Sequence, residues 1–114
     1  MILTPTKERR LKMYRGTTPP IIITFPQGFD VSQFTTAYLS FSQFGTKKLE
    51  KELSEMTVDP VTNSISVSLT QQETLNFVTG IDVHFQMRFI LDGEAYATQE
   101  WTETIEHIIK DGVI

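Results

Sequence analysis

The sequence feature that most restricts the fold is a strict alternation of apolar and polar residues, which is clearest in segments 64–69 and 82–91. Successive side chains of a β-strand point to opposite faces of a sheet, whereas a helix repeats its apolar positions every three to four residues. The longer segment therefore has an apolar and a polar face: Val83, Phe85, Met87, Phe89 and Leu91 on the first, His84, Gln86 and Arg88 on the second. Both segments are predicted to be strands with one side in a hydrophobic core.

Three more strands are predicted earlier in the chain, at 21–25, 37–43 and 47–53. The first follows two consecutive prolines, which cannot donate to a β-ladder, so we expect it at the edge of a sheet. The second alternates as clearly as the segments above. The third is predicted as a strand because it follows a tight turn, although its two leucines lie four residues apart and also fit a helix.

Turn and capping residues separate these strands. The sequence from Asp59 to Asn63 has the composition of a hairpin loop, and Asn63 tolerates the left-handed backbone region. Thr70 and Glu73 have the spacing of a capping box, in which each side chain bonds the backbone N–H of the other residue. This box predicts one or two helical turns that end near Phe77.

The last hairpin requires an irregularity. Asp92 and Gly93 are typical of a two-residue turn, which would pair Leu91 with Glu94, Phe89 with Tyr96 and Phe85 with Glu100. Continued without a break, this register would turn the Glu100 carboxylate toward the core. A one-residue bulge near Gln99 and Glu100 would instead direct Trp101 and Ile105 inward, and we predict that bulge.

Together these patterns predict an all-β fold: an antiparallel, immunoglobulin-like β-sandwich of seven or eight strands with one short capped helical turn. We expect a helical content below about 15%. The 114 residues suffice for one domain. We assign residues 14–114 to the sandwich and residues 1–13 to a flexible basic arm.

The charge of the chain is divided unevenly. Residues 1–15 contain five basic side chains and one acidic side chain, a net charge of +4, and the remainder has five basic and thirteen acidic residues, a net charge of −8. A basic arm on an acidic body suggests contact with a nucleic acid, an anionic surface or an acidic neighbouring subunit. A solvated terminus explains the same pattern. The partner-binding candidates on the arm are Lys7, Arg9, Arg10, Lys12 and Arg15.

No residue pattern points to catalysis or to a bound metal or cofactor, so we do not expect an enzyme. The chain lacks cysteine, and His84 and His107, both on predicted strands, have no metal-ligand spacing. The serines at 40, 42, 64, 66 and 68 fall on predicted solvent faces without a nucleophile turn. Three acidic residues, Glu100, Glu103 and Glu106, are interpreted as a solvated strand face or as a charged edge that recruits a basic partner.

The aromatic side chains allow two interpretations. Phe85, Phe89, Tyr96 and Trp101 form a stripe that suits a core, although exposed aromatic rings also stack on sugars or bases. Trp101 is the member that we consider first as a binding residue. Nucleic acid is not the expected partner, because the body is acidic and only the arm is basic. No apolar run is long enough to span a bilayer and no secretory signal precedes the domain, so neither membrane insertion nor signal-directed secretion is expected.

Several strings resemble those of small proteins encoded by tailed phages and prophages of Gram-positive bacteria: Tyr14-Arg15-Gly16-Thr17-Thr18-Pro19, Leu69-Thr70-Gln71-Gln72-Glu73-Thr74-Leu75-Asn76-Phe77, Gln86-Met87-Arg88 and Asp111-Gly112-Val113-Ile114. Residues 14–114 are similar to the N-terminal immunoglobulin-like module of phage baseplate upper proteins. The resemblance implies a structural protein of the virion, made in the cytoplasm of a bacterial host, that docks in the tail or baseplate through sheet edges and the basic arm. Its partners would be other virion or tail proteins and copies of itself. The alternative is a carbohydrate- or host-surface-binding sandwich module.

Overall fold

The computed structural model describes residues 13–114 and the backbone of residues 6–7. The strands, in chain order, are β1 (Thr6–Lys7), β2 (Met13–Tyr14), β3 (Pro20–Thr24), β4 (Phe34–Gln43), β5 (Thr46–Glu52), β6 (Thr57–Asp59), β7 (Ser64–Ser68), β8 (Asp82–Leu91), β9 (Glu94–Ala97) and β10 (Trp101–Glu106). One α-helix, α1 (Gln71–Leu75), and two 3-10 turns, Val31–Gln33 and Leu53–Glu55, complete the regular structure. Of the residues that the structure describes, 51% are in strands and 11% in helices, which confirms the predicted all-β class.

The strands form two sheets whose order is that of an immunoglobulin-like sandwich. The smaller sheet has the order β1-β3-β7-β6, and the larger has the order β2-β10-β8-β4-β5, with β9 also paired to β8. One pairing differs from the antiparallel prediction, because β2 and β10 are parallel.

The beginning of the sandwich differs from prediction in two details. Strand β3 has a neighbour on each side, since β1 pairs with its residues Ile23 and Thr24. Pro20 lies in the part of β3 that β1 does not reach, where a missing N–H breaks no ladder bond. Met13 is 6% exposed and packs in the core. Residues on both sides of the predicted boundary therefore contribute to the sandwich.

The core lies between the two sheets and follows the predicted alternation. All five apolar residues assigned to one face of β8 are buried, as are Ala37, Leu39 and Phe41 of β4. Phe41 and Phe85 are register partners on these strands and stack with their ring centroids 5.3 Å apart. A second group of rings, Phe25, Phe29, Phe34 and Phe89, fills the opposite half of the core. Aromatic rings therefore supply much of the buried area.

The predicted bulge in the last hairpin is present. Leu91 pairs with Glu94 and Phe89 with Tyr96 as expected, but Phe85 then pairs with Trp101, which requires one extra residue on the later strand. Thr98 is buried at this point, where it donates its N–H to the Met87 carbonyl (2.9 Å) and accepts the Met87 N–H through its hydroxyl (3.1 Å). The bulge turns Ile105 fully inward and leaves Trp101 half-buried against the core.

Two assignments of solvent-facing residues are wrong. Glu100, Glu103 and Glu106 do not share a strand face, because residues three apart on a strand alternate sides; Glu103 lies on the half-buried side of Ile105. Ser64 is buried, at 7% exposure, where its hydroxyl lies 2.7 Å from that of Thr62. His107 follows the end of β10 rather than lying on a strand.

The predicted capping box is formed, and it is tied to a buried lysine. The Thr70 hydroxyl accepts the Glu73 N–H at 3.1 Å, and the Glu73 carboxylate accepts the Thr70 N–H at 2.8 Å. Helix α1 ends at Leu75, two residues before the expected end. The prediction of a strand for β5 is confirmed. Lys51 of this strand is buried, and its Nζ lies 2.7 Å from Glu73 Oε2. Burial raises the pKa of Glu73, but the hydrogen bonds from Lys51 and Thr70 outweigh it, so the pKa lies below its ordinary value.

Candidate docking surfaces

The predicted arm is described only in part. Arg9, Arg10 and Lys12 lie outside the described residues, and Lys7 is described as a backbone partner of Ile23 in β3. The proposed role of these four basic residues in partner binding therefore stays a prediction.

Arg15 is built into the fold. Its Nε donates to the Leu75 carbonyl at 3.1 Å, its guanidinium pairs with the Asp111 carboxylate, and its backbone N–H donates to the Glu106 carbonyl at 2.9 Å. The side chain is 27% exposed. These contacts join the beginning of the domain, the end of α1 and the last residues of the sequence, so Arg15 has a structural role here beside any partner contact.

Trp101 packs mainly against the core. Its ring centroid lies 5.8 Å from that of Phe85, and the side chain is half-buried. Trp101 begins β10, whereas Arg15 bonds Glu106 at the end of that strand. The structure therefore does not bring together Arg15 and Trp101, the two predicted binding residues whose side chains it describes.

Exposed apolar side chains are concentrated at one end of the sandwich. Of the eight large ones exposed in the described part of the chain, six lie at the end that contains α1, the β4–β5 turn and segment 107–114. We call this surface the apolar end; its side chains are Tyr14, Phe44, Val78, Ile109, Val113 and Ile114. Phe44 is 67% exposed and Ile109 is 99% exposed. The sequence places apolar residues at positions 113 and 114, but it contains no signal that the fold collects four others around them.

Specific contacts hold the apolar end in shape. The Gln43 amide donates to the Val78 carbonyl (2.9 Å) and accepts the Val78 N–H (2.8 Å), which fixes Val78 beside the β4–β5 turn. The Gln71 amide makes a matching pair of bonds with the backbone of Ile114. Gly16 has φ +77° and packs so closely that an added Cβ would lie 3.0 Å from Ile108 Cδ1. These contacts hold segment 107–114 against α1.

A second surface lies on the outer face of the larger sheet. A cleft of about 430 Å³ opens where β4, β5, β8 and β9 meet. We call it the sheet cleft; it is lined by Thr36, Tyr38, Ser40, Glu50, Arg88, Phe89, Ile90 and Ala95. A smaller cleft of about 150 Å³ adjoins it and shares Ser40. Alternation in segments 37–43 and 82–91 places Tyr38 and Arg88 on the polar faces of their strands, but it contains no signal that the two strands set them side by side.

Of the two histidines, His84 has an ordinary partner on the protein surface. His84 Nδ1 lies 2.6 Å from Glu100 Oε1 on the sheet surface. Within residues 13–114, no group of three or more potential ligands is arranged to hold a metal ion. No helix in the described ranges combines the length and apolar character needed to cross a membrane.

Comparison with known proteins provides no assignment: no protein-family model matches this chain, and no curated protein matches it significantly.

Proposed function

We propose that this chain is a docking module of a phage or prophage particle, associated with the tail or baseplate, and that it acts by binding other particle subunits rather than by catalysis. The proposed location is the virion, after synthesis in the bacterial cytoplasm. The observation that supports docking most strongly is the collection of six exposed large apolar side chains at one end of a small domain. Scattered single apolar residues are normal on protein surfaces, but grouped ones are typical of contact sites.

The sheet edges favour docking through the apolar end over docking by strand addition. Five of the seven residues of the edge strand β5 are charged: Lys47, Lys48, Glu50, Lys51 and Glu52. Charged side chains on an edge oppose pairing with another strand. The edge strand of the other sheet, β6, has three residues. A partner therefore gains more by covering the apolar end than by pairing with β5 or β6.

The apolar end is tested by the double variant Phe44→Ser/Ile109→Ser, with Val61→Ser as the matched control. Val61 is 94% exposed but lies in the β6–β7 turn at the opposite end. We expect the double variant to weaken self-association or binding to a tail subunit on the order of tenfold or more, equivalent to about 1.4 kcal/mol, because it removes apolar area from the contact. Sedimentation velocity over a concentration series measures this.

The dependence of association on ionic strength distinguishes docking through the apolar end from docking through the basic arm. Charge attraction weakens as the Debye length falls from about 10 Å at 0.1 M salt to about 3 Å at 1 M, whereas apolar contact does not. Association that persists in high salt and is lost in the double variant supports the apolar end. Association that dissociates in high salt and is equal in both variants would assign docking to the arm instead.

A further inference from the structure

We propose that the sheet cleft binds an acidic saccharide, with the oxyanion of the ligand on the Arg88 guanidinium and a sugar ring against Tyr38. This inference does not depend on the proposed docking role, since the cleft lies on a sheet face away from the apolar end. Its volume, about 430 Å³, lies within the range of small-ligand sites.

The shape of the cleft follows from the residues that line neighbouring strands. Tyr38 and Arg88 are register partners on β4 and β8, and Thr36 is the partner of Ile90. On the other side of β8, the partners of Ile90 and Arg88 are Ala95 and Ala97 of β9, whose small side chains leave the outer face open there. The result is a trough with a phenol ring and a guanidinium on adjacent strands.

The charge of Arg88 is unmatched. The residue is exposed and its side chain lines the cleft, and the guanidinium forms no hydrogen bond or ion pair with any residue in the described part of the chain. Glu50, the carboxylate in the same cleft, already accepts hydrogen bonds from Ser40 (3.0 Å) and Lys47 (3.2 Å). These bonds, that from Ser40 foremost, lower the pKa of Glu50. An oxyanion is the complement that Arg88 lacks, and a guanidinium binds carboxylate or phosphate through two parallel hydrogen bonds.

The remaining groups favour a polyhydroxylated ring as the rest of the ligand. Tyr38 is 40% exposed and offers a ring face for the C–H groups of a sugar. Thr36 contributes a hydroxyl that can donate and accept, and the Ser40 hydroxyl, whose proton bonds Glu50, contributes acceptor lone pairs. Ser40 also belongs to the adjoining cleft, which is lined by Gln86, His84 and other polar residues and gives a second ring room to bind.

The experiment is a titration of the intact chain followed by NMR, with three probes of defined composition. An oligogalacturonate supplies a carboxylate on a sugar ring, a glycerol phosphate oligomer supplies a phosphate, and a neutral cello-oligosaccharide supplies neither. We expect at least one acidic probe to shift the signals of Thr36, Tyr38, Arg88 and Ala95 saturably, and the neutral probe to bind on the order of tenfold more weakly. The acidic probe that binds identifies the oxyanion.

Variants distinguish specific binding in the sheet cleft from non-specific attraction between opposite charges. Arg88→Gln and Tyr38→Ala should each weaken the acidic probe on the order of tenfold, and Arg88→Lys should restore little, because an ammonium lacks the planar two-bond geometry. Lys110→Gln removes the same charge from an exposed position in segment 107–114 and should leave binding unchanged. Three results would overturn the proposal. The neutral probe could bind as tightly as the acidic probes, or Lys110→Gln could weaken binding as much as Arg88→Gln does. In the third, neither acidic probe causes a saturable shift at millimolar concentration.

Discussion

Phe85→Ala is expected to lower the free energy of unfolding by about 3–5 kcal/mol. Phe85 is 1% exposed, stacks on Phe41 at 5.3 Å and contacts Trp101 at 5.8 Å between ring centroids. It lies at the centre of β8, which pairs with β4 on one side and with β9 and β10 on the other. Truncation removes buried aromatic area and leaves a cavity that three paired strands cannot easily close. Since small domains are stable by only about 5–15 kcal/mol, the loss is a large share of the total.

Urea denaturation monitored by circular dichroism measures this loss, with Phe44→Ala as the matched control. Phe44 carries the same side chain but is 67% exposed. Its truncation should change stability by no more than about 0.5 kcal/mol. If the two variants unfolded at the same urea concentration, the inward register of β8 would be wrong.

Asn63→Ala is expected to cost about 3 kcal/mol, the second-largest effect. The Asn63 side chain donates to the carbonyls of Phe25 (3.0 Å), Pro26 (3.3 Å) and Phe29 (3.0 Å) and accepts the Val31 N–H at 3.1 Å. It thereby connects the β6–β7 turn to the loop between β3 and β4. The variant removes the partner of all four backbone groups, and water replaces it only in part because the bonds are partly buried.

The backbone of Asn63 requires a control. Its φ is +54°, a left-handed conformation that costs an alanine roughly 1 kcal/mol and a glycine almost nothing. Asn63→Gly therefore isolates the side-chain hydrogen bonds and should cost about 1 kcal/mol less than Asn63→Ala. A glycine variant as stable as the unsubstituted chain would show that these hydrogen bonds contribute nothing.

Features that depend on neighbouring residues in the sequence were predictable. The burial of alternate residues in β8, the Thr70–Glu73 box and the left-handed Asn63 all follow from local spacing or local chemistry. The bulge after Ala97 was predictable as well, because the turn at Asp92 and Gly93 fixes the register and a carboxylate cannot continue it into the core.

Features that depend on distant pairing were not predictable. Alternation places Lys51 on the inner side of β5, but it does not show that the partner of Lys51 is Glu73 of the helix cap. Likewise, alternation turns Tyr38 and Arg88 outward, whereas their adjacency depends on the register between two strands fifty residues apart. Strand β2 has two residues and no period, so its parallel pairing with β10 left no pattern in the sequence. The sheet cleft and the apolar end both arise from such long-range pairing.

The docking role is tested most directly in the particles themselves. A photo-crosslinking residue is placed at Ile109, in the apolar end, or at Val61, at the opposite end, and the particles that the proposal requires are purified by density gradient from cells that express the chain. We expect mass spectrometry to find the chain in intact particles and cross-links from position 109, but not from position 61, to a neighbouring tail subunit or to another copy. Absence of the chain from purified particles, despite its presence in the lysate, would contradict the docking role, and equal cross-linking from both positions would contradict the assignment of the apolar end.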